Sequence, residues 1–384
     1  MLLSHSLLVG KTPHAAKPLE KEEACIKILL QQNAPGLLLE SKGSCNVYDP
    51  ASGKKLSSSF KGKRYYLHAA RDGLKWGEGF PGIYQLAIQG EKPQDTLVVD
   101  GIEHEGCLNV YAINQQVSAV NRIPIESYLK TVMSSQFDGD HHDLKVLKAV
   151  AIAMRTKLYY LAAKNKNAFW HIDHTQERFL GCSNAMIDRY VDEAVESTCS
   201  TILTFNYRPF SAEWHPHSAG ITAGYPMVFR KNIASPIGVE SAVAKKDREK
   251  SQWSYALSKT QLAELMKTER VVTLDTFEDP FSKRVYAIRI KGDDRHHDFD
   301  FFSFQRLIGS DAIKSNNFQV VIDQETVKFQ GFGRGHGVGL CLYSANEMAK
   351  KGSTVEEILL AFFPNTLLQE VKKLDFSQEG FDDF

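Results

Sequence analysis

The sequence predicts an α+β protein, with mixed and mostly antiparallel sheets beside several helices. Three observations predict it. From Cys25 to about Asn121 the chain is a series of short alternating stretches broken by turn residues. From Asp143 a long segment carries apolar residues at helical spacing. Near the end, a hairpin pattern runs into the glycine-dense stretch Gly331–Ala349, GFGRGHGVGLCLYSANEMA.

In the first part, Ile26, Ile28 and Leu30 alternate as strand residues do, and Pro35-Gly36 marks a turn. Val47-Tyr48 leads into the turn residues Asp49-Pro50-Ala51-Ser52-Gly53. Further strands are expected at 64–68, 84–88, 96–99, 108–112 and 117–121. No acids, histidines or nucleophile gather there, so the region reads as scaffold or a docking β-domain. Pro124 followed by Glu126 predicts a short helix ending near Ser134. After a polar loop, Asp143 is the expected N-cap of a second helix. Leu144, Leu147, Ala151, Met154, Leu158 and Leu161 predict one buried stripe along it. A helix is expected over 188–198, then a hairpin of 201–205 with 210–214 across Asn206-Tyr207-Arg208-Pro209. Later elements are a charged connector at 242–252, helices at 259–266 and 304–308, and a strand at 284–291. A hairpin of 318–322 with 327–329 follows, then a helix over 344–351 ending at Gly352, and a last helix capped by Ser353 and Glu356.

The bulk numbers exclude some functions. The chain has 384 residues, 43% hydrophobic and 24% charged, with 46 basic and 46 acidic side chains. A core of ordinary size is affordable, and no global field draws the chain to nucleic acid or acidic membrane. No apolar run approaches the roughly 18 residues of a membrane helix. The six cysteines are scattered without a CxxC pair, which favours neither a zinc cluster nor a disulfide scaffold. The leucine-rich start, MLLSHSLLVGKTPHAAK, lacks a preceding basic residue and makes a poor secretory signal.

Four stretches carry chemistry. Glycines alternate from Gly331 to Gly339 around Arg334 and His336, a loop suited to presenting backbone donors and one imidazole. GxxxxGK[ST] and GxGxxG with its downstream acid are both absent, so it is no phosphate loop of those types. Lys148 and Arg155 lie two helical turns apart; they could line an oligosaccharide or anion groove, be solvated, or pair with Glu126 or Asp143. His171, Asp173 and His174 raise a metal reading, but a catalytic zinc usually wants three protein ligands and HExxH is absent, so turn histidines are the simpler reading. Trp214-His215-Pro216-His217-Ser218-Ala219-Gly220 delivers an indole, imidazoles and a hydroxyl into a small-residue loop, a mixture suited to sugar recognition or to a bend around a buried tryptophan.

Four stretches of the chain, in order, resemble the SpoIID/LytB family, the stage II sporulation protein D and amidase-enhancer group. Asp100–Leu129 is similar to its strand pair running into VN-x-hPLE-x-YL, and Leu147–Thr156 to its LKAQAVAARTY helix. Trp214–Thr222 resembles its HSSxGGxT loop, and Gly331–Ala349 its GxGxGHGVGhxxYxAxxMA signature. The resemblance spans about Cys25 to Thr366. It implies a SpoIID-like fold: a leader-like start (1–24), a β-rich part (25–120), a core with a glycan groove (121–366) and an acidic tail (367–384). It implies peptidoglycan glycan strands as partner, an extracytoplasmic location, and either 1,6-anhydro-forming lytic transglycosylase chemistry or binding that enhances a cell-wall amidase.

The resemblance also implies site residues. The family's catalytic glutamate, in an S-E-M type turn, falls at Gln136, and an amide can neither protonate a glycosidic oxygen nor act as a base. Asp138, Asp140 or Asp143 would then be the replacement acids, in a loop one residue longer. Lys148, Arg155, Gln176, Ser218, Gly220, His336 and Tyr343 would bind substrate, with His336 and Tyr343 facing Lys148 and Arg155 across the groove. Some members hold zinc through a histidine and two cysteines; here His171, His174 and Gln176 occupy that segment without the cysteines, so no cofactor is expected.

Overall fold

A computed structural model describes residues 24–61, 64–137, 142–177, 179–182, 187–293 and 295–371. Asp138, Asp140 and the leader-like start up to residue 23 lie outside the described residues, as does the tail beyond 371.

The expected β-rich region forms two sheets. The first has seven strands, in the order Ile172–Asp173, Cys25–Ala34, Gln116–Pro124, Cys107–Ile113, Gln85–Gly90, Ser44–Tyr48, Lys55–Lys61. The second has six, Ile102–His104, Thr96–Val99, Leu37–Lys42, Arg64–Ala70, Gly73–Trp76, Glu78–Pro81. Neighbours are antiparallel except for the parallel pair of Ile28-Leu29 with Ile172-Asp173. The alternation read in Cys25–Ala34 sends Ile26 and Ile28 inward, both fully buried. Trp76 seals the layer between sheets, its indole N–H donating to the Leu39 carbonyl at 3.1 Å.

The same core continues into two helices, α1 (Ile125–Gln136) and α2 (Leu144–Lys164). The first runs one short turn past the expected stop, so Gln136 is its last residue and not part of a turn. Asp143 caps the second, its carboxylate accepting the Lys145 N–H at 2.8 Å. Burial of α2 is not one stripe: Val146, Ala149, Val150, Ile152 and Ala153 are as buried as the predicted residues. The helix is enclosed by Arg189–Ser197, Thr201–Phe205, Leu342–Lys350 and Val355–Phe362.

The expected hairpin of 201–205 with 210–214 does not form. Thr201–Phe205 pairs with Thr366–Glu370, which draws the first residues of the predicted tail into a strand. Trp214-His215 pairs in parallel with Leu340-Cys341 at the end of the glycine run. The turn at Asn206-Tyr207 exists, with both residues left-handed, but closes only an isolated bridge. The final capping box is built by Thr354 and Glu357, one residue later than predicted.

Residues 252–332 form a smaller lobe with its own core around Phe301, Phe304, Phe318 and Phe329. It contains the predicted hairpin, Phe318–Ile322 with Thr326–Phe332, extended by Gln252–Ser258, and a second sheet of Thr273–Glu278, Val285–Lys291 and His296–Asp300. The glycine run carries the chain back to the larger lobe. Gly337 and Gly339 are left-handed, and a Cβ at either would overlap Arg284 or the Glu213 carbonyl, so only glycine fits. Arg284, fully buried, comes from the smaller lobe and donates to the Ile221 carbonyl of the larger at 3.0 Å and to Asn316 Oδ1 at 2.7 Å. The bond to Ile221 ties the lobes together beside the glycine run.

Candidate functional site

Between the lobes lies an open groove of about 680 Å³. The end of α1 supplies Gln136 and Phe137; the strand end and loop after it supply Trp214, Pro216 and His217. Tyr343 and Asn346 come from the helix after the glycine run. Across from them stand Trp253, Lys314 and Arg334, with Lys250 and Gln252 at the join. Phe137 and Trp214 pack at 5.3 Å between centroids, and the Trp253 indole is fixed by donating to Ser315 Oγ at 3.2 Å.

Hydrogen bonds set the orientation of the polar wall. His217 Nδ1 accepts the Ala219 N–H at 3.0 Å, so the neutral ring carries its proton on Nε2. Burial lowers the pKa of this imidazole, which keeps it neutral. Its ring lies 4.5 Å from that of Tyr343, whose hydroxyl donates to Asp247 at 2.7 Å. The bond to Asp247 pushes the Tyr343 hydroxyl up to about 12. Asp247 in turn is held low, first by Lys250 at 2.6 Å and then by Tyr343.

Behind Trp214 a smaller chamber of about 170 Å³ shares Gln136 and Trp214 with the groove. Glu213 lines it, with Lys157 Nζ at 3.0 Å and the Ser211 hydroxyl donating at 2.7 Å. Burial pushes the Glu213 carboxyl up, but Lys157, His336 and Ser211 outweigh it and hold the group below its ordinary value. The carboxylate is therefore ionised and paired, the opposite of a resting general acid.

Several predicted site residues do not meet at the groove. Arg155 is fully buried, bound to Glu126 by two bonds of 2.8 and 2.7 Å and to the carbonyls of Val195 and Thr201. It fastens α2 to its neighbours and is not among the described groove-lining residues. Lys148 is half-buried and is not among the described lining residues. Ser218 is fully buried, its hydroxyl accepting the Gly220 N–H at 3.3 Å, and Gly220 packs against Lys245; both shape the loop from within. His336 lies beneath the wall, against Phe229 at 5.3 Å, with Nδ1 accepting the Val338 N–H at 3.1 Å. Burial drives its pKa down to about 4. Asp143 is exposed and spends its carboxylate on the α2 cap, although its backbone N–H reaches Asn346 at 3.3 Å. Gln176 sits in the short helix His174–Glu177, and its side chain lies outside the described residues. Of the predicted set, Gln136 and Tyr343 line the groove.

His171 Nδ1 accepts the Lys27 N–H at 3.2 Å and His174 Nδ1 bonds the Leu29 carbonyl at 3.1 Å, which ties both rings to the edge of the first sheet. Among the described residues no group of three histidine, cysteine or acidic side chains converges. Sequence reasoning missed Lys157, Glu213, Trp253 and Lys314. Trp253 and Lys314 are single residues in unremarkable contexts 61 positions apart, so no local pattern joins them.

Comparison with known proteins bears on the same elements. The family described as SpoIID, stage II sporulation protein, matches residues 113–205, which hold α1, α2 and Gln136. Stage II sporulation protein D of Bacillus subtilis is 27% identical over 281 residues, covering 66% of this chain and 76% of that protein. Residues 113–205 thus carry a SpoIID-family region, and the chain is similar to stage II sporulation protein D beyond it. Uncharacterized proteins of Chlamydia muridarum and Chlamydia pneumoniae are 33% and 31% identical over 183 residues, 47% of this chain. The match spans 63% and 66% of the length of those two relatives.

Proposed function

We propose that this chain works on peptidoglycan by holding a denuded glycan strand in the groove between its lobes. The composition of the walls carries this reading. Four aromatic rings (Phe137, Trp214, Trp253, Tyr343) and the cations Lys314 and Arg334 line it, beside Lys250, which is paired with Asp247, and no carboxylate is among the described lining residues. Sugar faces stack on aromatic rings, and the lactyl carboxylates of a denuded strand match the cations. The same reading implies an extracytoplasmic location, in the periplasm or cell envelope, because the polymer lies there. A cell-wall amidase, which strips the stem peptides and so supplies the denuded strand, is its natural partner.

Cutting is the second reading, and one observation favours it: Asp138 and Asp140 directly follow groove residues Gln136 and Phe137. Lytic transglycosylase chemistry needs one carboxyl group to protonate the glycosidic oxygen as the C1–O bond breaks. The resulting carboxylate then takes the proton of the 6-hydroxyl as that oxygen closes on C1. Gln136 cannot do this, and Glu213 is ionised and paired.

Incubating the protein with denuded strands and analysing products by mass spectrometry separates the readings. Retained strands without 1,6-anhydro products support holding alone. Products that vanish in Asp138→Asn or Asp140→Asn support cutting. Strands neither retained nor cut contradict both.

A further inference from the structure

We infer that the chamber behind Trp214 receives the 2-acetamido group of an N-acetylated sugar, and that Gln136 reads it. This rests on the groove being a glycan site. The chamber, about 170 Å³, adjoins the groove through Gln136 and Trp214. Its apolar surface is Met154, Leu158 and Trp214, which suits a methyl group. Its polar surface is electrically balanced, because Lys157 and Glu213 are paired at 3.0 Å. A neutral polar group therefore enters at less cost than an ammonium or a carboxylate.

The deciding feature is Gln136 Oε1, a buried acceptor without a hydrogen-bond partner. Leaving such an atom unsatisfied costs about 1–3 kcal/mol. A secondary amide entering from the groove supplies the missing donor, its N–H, and places its methyl group against Met154 and Leu158. A 2-hydroxyl sugar has no acetyl arm to seat in the chamber, so it leaves the apolar end empty and is not held against Oε1. The amide at position 136 thereby gains a task in binding that its lack of acid–base chemistry does not impair.

The test uses two neutral tetrasaccharides with the same β-1,4 backbone, N-acetylchitotetraose and cellotetraose, which differ in the acetamido group. Titration calorimetry on the full chain is expected to show N-acetylchitotetraose binding about tenfold tighter, the effect of one satisfied hydrogen bond. Gln136→Leu should abolish the preference, whereas Gln136→Glu keeps an acceptor and should retain it. Equal binding of the two sugars, including no binding of either, overturns the inference, as does a preference that survives Gln136→Leu. A parallel pull-down with denuded strands keeps the two readings apart. Strands retained without a sugar preference remove the acetamido pocket only; strands not retained remove the groove reading itself. The wild-type comparison does not depend on any variant folding.

Discussion

At the scale of single residues, Gln136 decides what chemistry the groove can perform. It ends α1 and faces both groove and chamber, so a glutamate there would keep the same position. If the rest of the groove is competent, Gln136→Glu should raise 1,6-anhydro product formation by roughly 10²–10⁴, the usual range for a positioned acid–base group. Mass spectrometry of digested strands reads this directly, and an unchanged product level would show that more than the acid is missing. The residue was legible because a motif surrounds it. Glu213 was not, since a single acid before a tryptophan carries no spacing that announces an ion pair with Lys157, 56 positions away. Histidines give a second prediction at this scale. Burial holds His104 and His336 at about 4, against about 6.5 when unfolded. As pH falls below 6.5 the unfolded chain takes up protons first, so stability is complete above 6.5 and declines towards 4. For His104, 5% exposed, the loss is on the order of 3 kcal/mol. The melting temperature should therefore drop between pH 7 and pH 5, and His104→Phe should shrink that drop; a flat profile would contradict the buried neutral rings.

At the scale of elements, α2 shows what periodicity can and cannot give. The spacing of Leu147, Ala151, Met154 and Leu158 locates the helix, and Asp143 marks its start. It cannot say how many neighbours cover the helix, and with cover on nearly all sides Arg155 becomes interior. Removing the buried guanidinium leaves the Val195 and Thr201 carbonyls without its donors and the partly exposed Glu126 without its partner. Arg155→Met should destabilise the protein by about 1–3 kcal/mol in denaturant titration. Strand retention by the folded fraction should be unchanged; a selective loss of retention at unchanged stability would return Arg155 to the groove. The mispredicted hairpin has a similar cause. The residues of Thr201–Phe205 favour a strand, but its partner, Thr366–Glu370, lies some 160 positions on and nothing local selects it.

At the scale of the whole molecule, the α+β class and the β-rich start were readable from alternation and turn residues. The division into two lobes was not, because it depends on the chain leaving after Ser251 and returning at the glycine run. That run proves to be a seam between lobes, with Arg284 pressed against Gly337, and His336 is drawn beneath it. The formal charge of zero also hides a local field, since Lys314 and Arg334 both open on one groove. Co-sedimentation of the protein with denuded glycan strands across a salt series tests the central claim most directly. The account predicts retention at low salt that weakens as salt rises, and loss of most retention in a Lys314→Glu, Arg334→Glu double variant that still melts normally. Failure to retain strands at low salt, or retention untouched by the double charge reversal, would contradict it.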